Sequence, residues 1–225
     1  MIQLRGVLTA DQVATVRRIL DASNWLDGRT TAGQVAAKVK NNLELDPKAE
    51  HRDKLIEACM GALYAQPKFL AYAHPSRVST PIFARYRPGM TYGDHVDDPV
   101  MGGQEGSPRY RSDLSMTLFL SNAADCEGGE LVIQTAFGEQ RVKLDAGDAV
   151  IYPSASVHRV EPLISGERVV MLTWMQSLVR DAAQRELLYG LWQAREDLLA
   201  KDPEAVASKQ VEISYANLLR MWADT

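Results

Sequence analysis

The chain has 225 residues, 46% of them hydrophobic and 24% charged, with a formal net charge of -4. That balance is typical of globular proteins and leaves no broad basic footprint for nucleic acid or an anionic membrane. Any acidic ligand must therefore be held by a few placed cations.

The N-terminus, MIQLRGVLTADQ, lacks the apolar core of a signal peptide, and no stretch approaches the roughly 18 apolar residues of a membrane helix. Cys59 and Cys126 lie far apart and in no metal-like spacing. A cytoplasmic setting without disulfides is the expectation. Thr9 and Gln12 form a capping-box pair ahead of an apolar-periodic run through Leu20, which predicts a first helix. Thr31 and Gln34 repeat the pattern before Val35 and Val39 and predict a second. Leu55, Ala58, Cys59 and Leu63 predict a third over residues 54–65. Together they define an N-terminal helical region, residues 1–79, expected to cover one face of a sheet.

From about Thr80 the period becomes that of strands. Segments 81–89, 90–97, 114–121, 128–135, 141–153, 156–163 and 167–175 alternate with turn signals at Pro88-Gly89, Gly128-Gly129, Asp145 to Gly147 and Ser165-Gly166. Seven or eight short strands predict a sandwich, barrel or double-sheet jelly roll over residues 80–178. No βαβ rhythm and no phosphate-cradling glycine loop is present. After Met175 the period is helical again. Leu187, Leu188, Leu191, Leu198 and Leu199 mark one helix. Asp202-Pro203 is read as the cap and first turn of another, which carries Val206, Val211, Tyr215, Leu218, Leu219 and Trp222. This extension, residues 179–225, is expected to pack on the core, with a homo-oligomer interface as the alternative.

Chemistry-bearing residues concentrate in the strand region. His95 and Asp97 stand two apart, so on an extended segment one imidazole and one carboxylate point to the same side. His158, 63 positions later, follows a strand and a turn, and a β fold can bring it to the same point. Two imidazoles and a carboxylate make the facial triad of non-haem iron(II) oxygenases, which leaves coordination positions open. A structural zinc site would fill all four. Asp94 and Asp98 face away on a regular strand, and His51 and His74 suit surface or capping roles. Arg168 shares a strand face with Trp174. An inward arginine needs an anionic partner, which a dicarboxylate supplies in bidentate fashion; the alternative is a surface ion pair with Glu161 or Glu167.

His95-Val-Asp97, Gly128-Gly129-Glu130-Leu131, Pro153 through His158, and Arg168 with Thr173-Trp174 resemble the prolyl 4-hydroxylase branch of the 2-oxoglutarate oxygenases. Arg111-Ser-Asp113-Leu-Ser115, Lys40-Asn-Asn42 and the helical tail are similar to bacterial PKHD-type hydroxylases, a group linked by name and context to iron-uptake genes. The resemblance implies a mainly β fold with flanking helices around a double-stranded β-helix. It implies Fe(2+) on His95, Asp97 and His158, 2-oxoglutarate on Arg168, and L-ascorbate as reductant. Tyr86 or Tyr92 is implied as a hydroxyl donor to the co-substrate, and Trp174 as a pocket wall; packing is the alternative for each. The implied partners are 2-oxoglutarate, dioxygen and an organic or peptidyl substrate. Residues 102–108 read as a lid or an ordinary connection, and Arg109 and Arg111 as contacts to an acidic substrate or as solvated charges. A non-catalytic metal- or 2-oxoglutarate-binding sensor on a cupin-like barrel is the rival reading.

Overall fold

The computed structural model describes residues 1–31, 36–103 and 108–224. The first third gives β1 (Ile2–Leu4), α1 (Ala10–Asp21), β2 (Trp25–Asp27), β3 (Lys40–Asn41), β4 (Leu43–Leu45), α2 (Arg52–Tyr64), α3 (Pro67–Ala73) and β5 (Pro75–Val78). The middle gives β6 (Ile82–Tyr86), β7 (Thr91–His95), β8 (Val100–Met101), β9 (Tyr110–Arg111), β10 (Leu114–Phe119) and β11 (Cys126–Gly128). There follow β12 (Leu131–Thr135), β13 (Gly138–Val142), β14 (Ala149–Pro153), β15 (His158–Val160), β16 (Leu163–Gly166) and β17 (Arg168–Ser177). Two helices, α4 (Ala182–Lys201) and α5 (Val206–Trp222), form the tail. No helix among the described residues is long and apolar enough to cross a membrane.

The capping box at Thr9 forms as expected: the Gln12 amide donates to Thr9 Oγ1, and the Thr9 amide donates to Gln12 Oε1. The expected second helix is not a regular one. Residues 36–38 make a single 3-10 turn, and residues 32–35 lie outside the described set. Sequence patterning also missed the short strands of the first third and the helix α3. These strands run only two to four residues, too short to show a period. α5 begins at Val206, and Asp202 ends α4 instead of starting α5. Its carboxylate accepts the Glu204 amide inside the connection.

Two antiparallel sheets carry the fold. The larger runs β1-β14-β10-β17-β6-β4-β2, with β5 beside β17; the smaller runs β13-β12-β15-β7-β3. Strand alternation gives the large sheet two different faces. Leu114, Met116, Leu118, Val169, Met171 and Met175 pack with Val16, Leu20, Leu55, Cys59 and Leu63 from α1 and α2. The alternate positions Val170 and Leu172 join Leu131, Ile133 and Val160 of the smaller sheet. One face is thus sealed by helices and the other faces the second sheet, where the interior is not filled. A cavity of about 760 Å³ lies there. The tail is far less buried: Arg185, Leu188 and Ser208 are the buried residues of α4 and α5.

Candidate metal and anion site

β7 and β15 are neighbours in the smaller sheet, and their register sets His95 opposite His158. β7 ends at His95, so Asp97 comes from the segment just beyond it and not from a continued strand. The three residues still converge, with their ligand atoms within 4.8 Å of one another. Asp97 Oδ1 stands 3.8 Å from His158 Nε2.

Each imidazole is oriented by its own backbone. His95 Nδ1 lies 2.8 Å from the Gly93 carbonyl, and His158 Nδ1 lies 2.9 Å from the Ser156 carbonyl. A carbonyl oxygen only accepts, so each Nδ1 donates and carries the proton. Each Nε2 then keeps its lone pair for a metal. Burial, reinforced by the neighbouring His158 ring, pushes His95 down to about 4, which keeps it in the neutral, ligating form at neutral pH. The Tyr92 ring stacks on His95 at 3.7 Å, and Tyr152 meets His158 edge-on at 5.1 Å. The donor set is two nitrogens and one carboxylate, and no fourth His, Cys, Asp or Glu joins it among the described residues. That suits an open catalytic metal and not a closed structural zinc.

Arg168 opens β17 and is cross-strand partner to Tyr86. Its residue is 3% exposed, and Nε and Nη1 have no hydrogen-bond partner. The guanidinium lies 5.0 Å from the Tyr86 ring centre and 5.6 Å from that of Phe119. Aromatic faces soften the burial of a cation, but donors left open in a low-dielectric wall call for an anion. Glu167 pairs with Arg17 and Arg85, and Glu161 with Arg159 and Arg141. The surface ion pair considered for Arg168 is therefore not made. His95, Asp97, His158 and Arg168 all line the one cavity.

Tyr86, Tyr92 and Trp174 line it too. The Tyr86 hydroxyl accepts from Asn42 Nδ2 at 3.2 Å, which leaves its own proton to donate. Trp174 shares its strand face with Arg168, as alternation requires. Sequence reasoning passed over Tyr152, a buried wall residue, because a strand tyrosine carries no signal of its own. Ser115 and Ser154 touch the Asp97 group and were equally silent.

Of the remaining candidate side chains, only Asp98 reaches the cavity, contrary to the expectation that it faces away. Asp94 is exposed and pairs with Arg159. His51 precedes α2 without a side-chain cap bond. His74 ends α3 in a left-handed conformation. Arg111 pairs with Asp113, and Arg109 is exposed. Of the loop 102–108, residues 104–107 lie outside the described set, and β8 pairs with β9 on either side of it.

Residues 81–176 match the model of the 2OG-Fe(II) oxygenase superfamily. A PKHD-type hydroxylase of Thioalkalivibrio sulfidiphilus is 47% identical over all of this chain and 99% of its own length. Among solved structures, a Pseudomonas putida prolyl-4-hydroxylase aligns with a TM-score of 0.53 and 26% identity, covering 78% of this chain and 91% of that one. HygX from Streptomyces hygroscopicus, solved with nickel, 2-oxoglutarate and hygromycin B bound, aligns with a TM-score of 0.57 and 12% identity over 79% and 83% of the two chains.

Proposed function

Because the chain belongs to the PKHD-type hydroxylases of the 2OG-Fe(II) oxygenase superfamily, we propose that His95, Asp97 and His158 hold iron(II) and that Arg168 grips the distal carboxylate of 2-oxoglutarate. The facing sheets are then a double-stranded β-helix with the site at its mouth. The observation that carries the assignment is the pairing, in one cavity, of an open N₂O donor set with a buried guanidinium that has two unpartnered nitrogens.

Bound iron supplies oxidative chemistry that couples decarboxylation of 2-oxoglutarate to succinate with hydroxylation of a substrate. The chain's own part is positioning. Gly93 and Ser156 carbonyls hold both imidazoles ready to ligate. Arg168 fixes one end of the diacid, and Tyr86 offers a hydroxyl beside it. Tyr92, stacked on His95, and Trp174 wall the space left for substrate. L-Ascorbate enters as a reductant that keeps the metal ferrous.

The substrate we assign is a small organic or peptidyl group, siderophore-related molecules included, in keeping with a link to iron uptake. The named activity of the Pseudomonas putida neighbour and the antibiotic bound to HygX span those two classes. Exposed Leu187, Ile213 and Met221 on the tail support pairing of two copies there, which sedimentation would register as a dimer. The functional test has two steps. Anaerobic iron(II) with 2-oxoglutarate should give a visible charge-transfer band, and a candidate-substrate screen should show succinate release with one oxygen atom added to the product. Tight iron binding without that band would sink the co-substrate assignment.

A further inference from the structure

Asp97 is the one candidate ligand with no strand to hold it, since β7 stops two residues earlier. Its main-chain tie is a long one, from its amide to the Ser154 carbonyl at 3.4 Å. What holds its side chain is the large sheet, across the cavity mouth. Ser115 Oγ on β10 donates to Asp97 Oδ2, and Ser154 Oγ lies 2.7 Å from Ser115 Oγ. Both serines are 2% exposed. A hydroxyl has one proton, and that of Ser115 goes to the carboxylate. The Ser154 hydroxyl must therefore be the donor to Ser115. The chain runs Ser154 to Ser115 to Asp97, and each bond polarises the next.

The geometry beneath this chain is built by the β10–β14 ladder. Leu114 pairs with Pro153 and Ser115 with Tyr152, and the Ser154 amide continues the ladder to the Asp113 carbonyl at 3.1 Å. The Ser115 hydroxyl thus arrives on β10 and that of Ser154 on the residue just after β14. The same short motif grips the Asp97 segment further along: Ser112 Oγ donates to the Asp98 carbonyl, and the Ser112 amide donates to the Pro99 carbonyl at 3.1 Å. Asp113 anchors the motif from behind, accepting from Arg111 Nε at 2.6 Å and from the Ser177 amide at 2.9 Å.

From this we infer that Arg111-Ser112-Asp113-Leu114-Ser115, with Ser154, is a clamp that positions Asp97 for the metal. Its tip, the Ser154–Ser115 relay, occupies Oδ2 and leaves Oδ1, the oxygen nearer His158, as the single ligand atom. The clamp rests on the assignment of His95, Asp97 and His158 as metal ligands. With the Ser115 proton on Oδ2, that oxygen is turned towards β10 and is a weaker donor, which favours one-oxygen ligation through Oδ1 over chelation. By favouring one-oxygen ligation the clamp helps keep open a position that a bidentate co-substrate and dioxygen together require.

Cobalt(II), bound anaerobically and without co-substrate, reports on this directly through affinity and visible absorption. Ser115→Ala should lose about 10–100-fold in cobalt affinity, the usual toll of removing a partner that orients a ligand, and should alter the absorption band. Ser154→Ala should lose less, and Ser115→Thr, which keeps the hydroxyl, should restore both readouts. Thermal unfolding of the metal-free variants checks that the fold is intact. Wild-type cobalt affinity together with an unchanged band in Ser115→Ala overturns the clamp. If Asp97→Ala also binds cobalt as the wild type does, the ligand assignment falls and the clamp falls with it; if only Asp97→Ala loses cobalt, the assignment stands and the clamp alone is refuted.

Discussion

At the scale of single residues, the proposed role of Arg168 sets stability against binding. Its guanidinium is buried, and burial is the largest influence on it and lowers its proton affinity, with Tyr86, Tyr152, Cys126 and Glu130 acting the other way. A buried charge without its counter-charge destabilises a fold, whereas an apolar residue of similar volume there does not. Arg168→Met should therefore leave the ligand-free protein equally stable or more stable by about 1–2 kcal/mol, read from denaturant midpoints. The same change should weaken 2-oxoglutarate binding by about 2–4 kcal/mol, because the distal carboxylate then meets an apolar wall. Metal affinity should stay near its wild-type value. A loss of stability together with unchanged co-substrate affinity would mean that Arg168 is a packing residue. His95, Asp97, His158 and Arg168, which the structure gathers in one cavity, could be picked out in the sequence because each is of a chemically costly type within a strand-rich stretch, even though Asp97 itself lies just past the end of β7. Ser115, Ser154 and Tyr152 were not, since serine and tyrosine are common in strands and only their neighbours across the sheet give them a role.

At the scale of elements, the strong periods were readable and the short pieces were not. α1 has both a full capping box and an apolar stripe, and it forms where the sequence places it. β2, β3 and β4 are two or three residues long and exist because an existing sheet edge offers them hydrogen bonds, which no local pattern announces. α3 has Pro67 at its start and His74 in left-handed conformation at its end, signals that read as a turn when taken alone. His74 makes this junction sensitive to acid. Burial first, then the nearby Arg185 charge, push it down to about 4, below its ordinary value of 6.5. Above pH 6.5 the group is neutral in both folded and unfolded chains and contributes nothing to the pH dependence. As pH falls from 6.5 towards 4 the unfolded chain takes up the proton first, so stability drops, by on the order of 2 kcal/mol. His74→Asn tolerates the left-handed cap and removes the titration. Its stability should fall less than that of the wild type between pH 7 and pH 4.5, measured by urea unfolding; parallel curves would refute the assignment.

The turn that launches β17 supplies a second element-level test. Gly166 has φ +77, and a Cβ there would come within 2.1 Å of the Asp125 carbonyl. The residue two positions on is Arg168, so this turn sets where the guanidinium emerges. Gly166→Ala should destabilise the fold by at least about 1–3 kcal/mol and should also weaken 2-oxoglutarate binding. If co-substrate affinity is unchanged, the turn is a folding feature only.

At the scale of the whole molecule, the site lies between two sheets that are sealed by different means. The large sheet has helices α1 to α3 on its far face and so owns a complete apolar core. The smaller sheet carries the histidines, and its outer face holds exposed ion pairs such as Arg159 with Glu139, which contribute little. Its attachment depends on the inter-sheet apolar cluster and on polar ties such as Ser115 to Asp97. A metal on His95 and His158, with a diacid reaching Arg168 on the large sheet as proposed, would add a tie across the gap. Ligands that bind only the folded state stabilise it by an amount that rises with the logarithm of free ligand concentration over Kd and keeps growing after the site is saturated. At about 100 times Kd the gain is about 2.7 kcal/mol, or roughly 5–11 °C in a chain of this size. Manganese(II) with 2-oxoglutarate, added without oxygen, should raise the midpoint of thermal unfolding by that order. On the proposed assignment the diacid needs both the metal and Arg168, so 2-oxoglutarate alone should give much less, and the Arg168→Met protein should respond to manganese but gain little more from the co-substrate. An equal shift from 2-oxoglutarate in wild type and variant would show that the diacid does not bridge the two sheets.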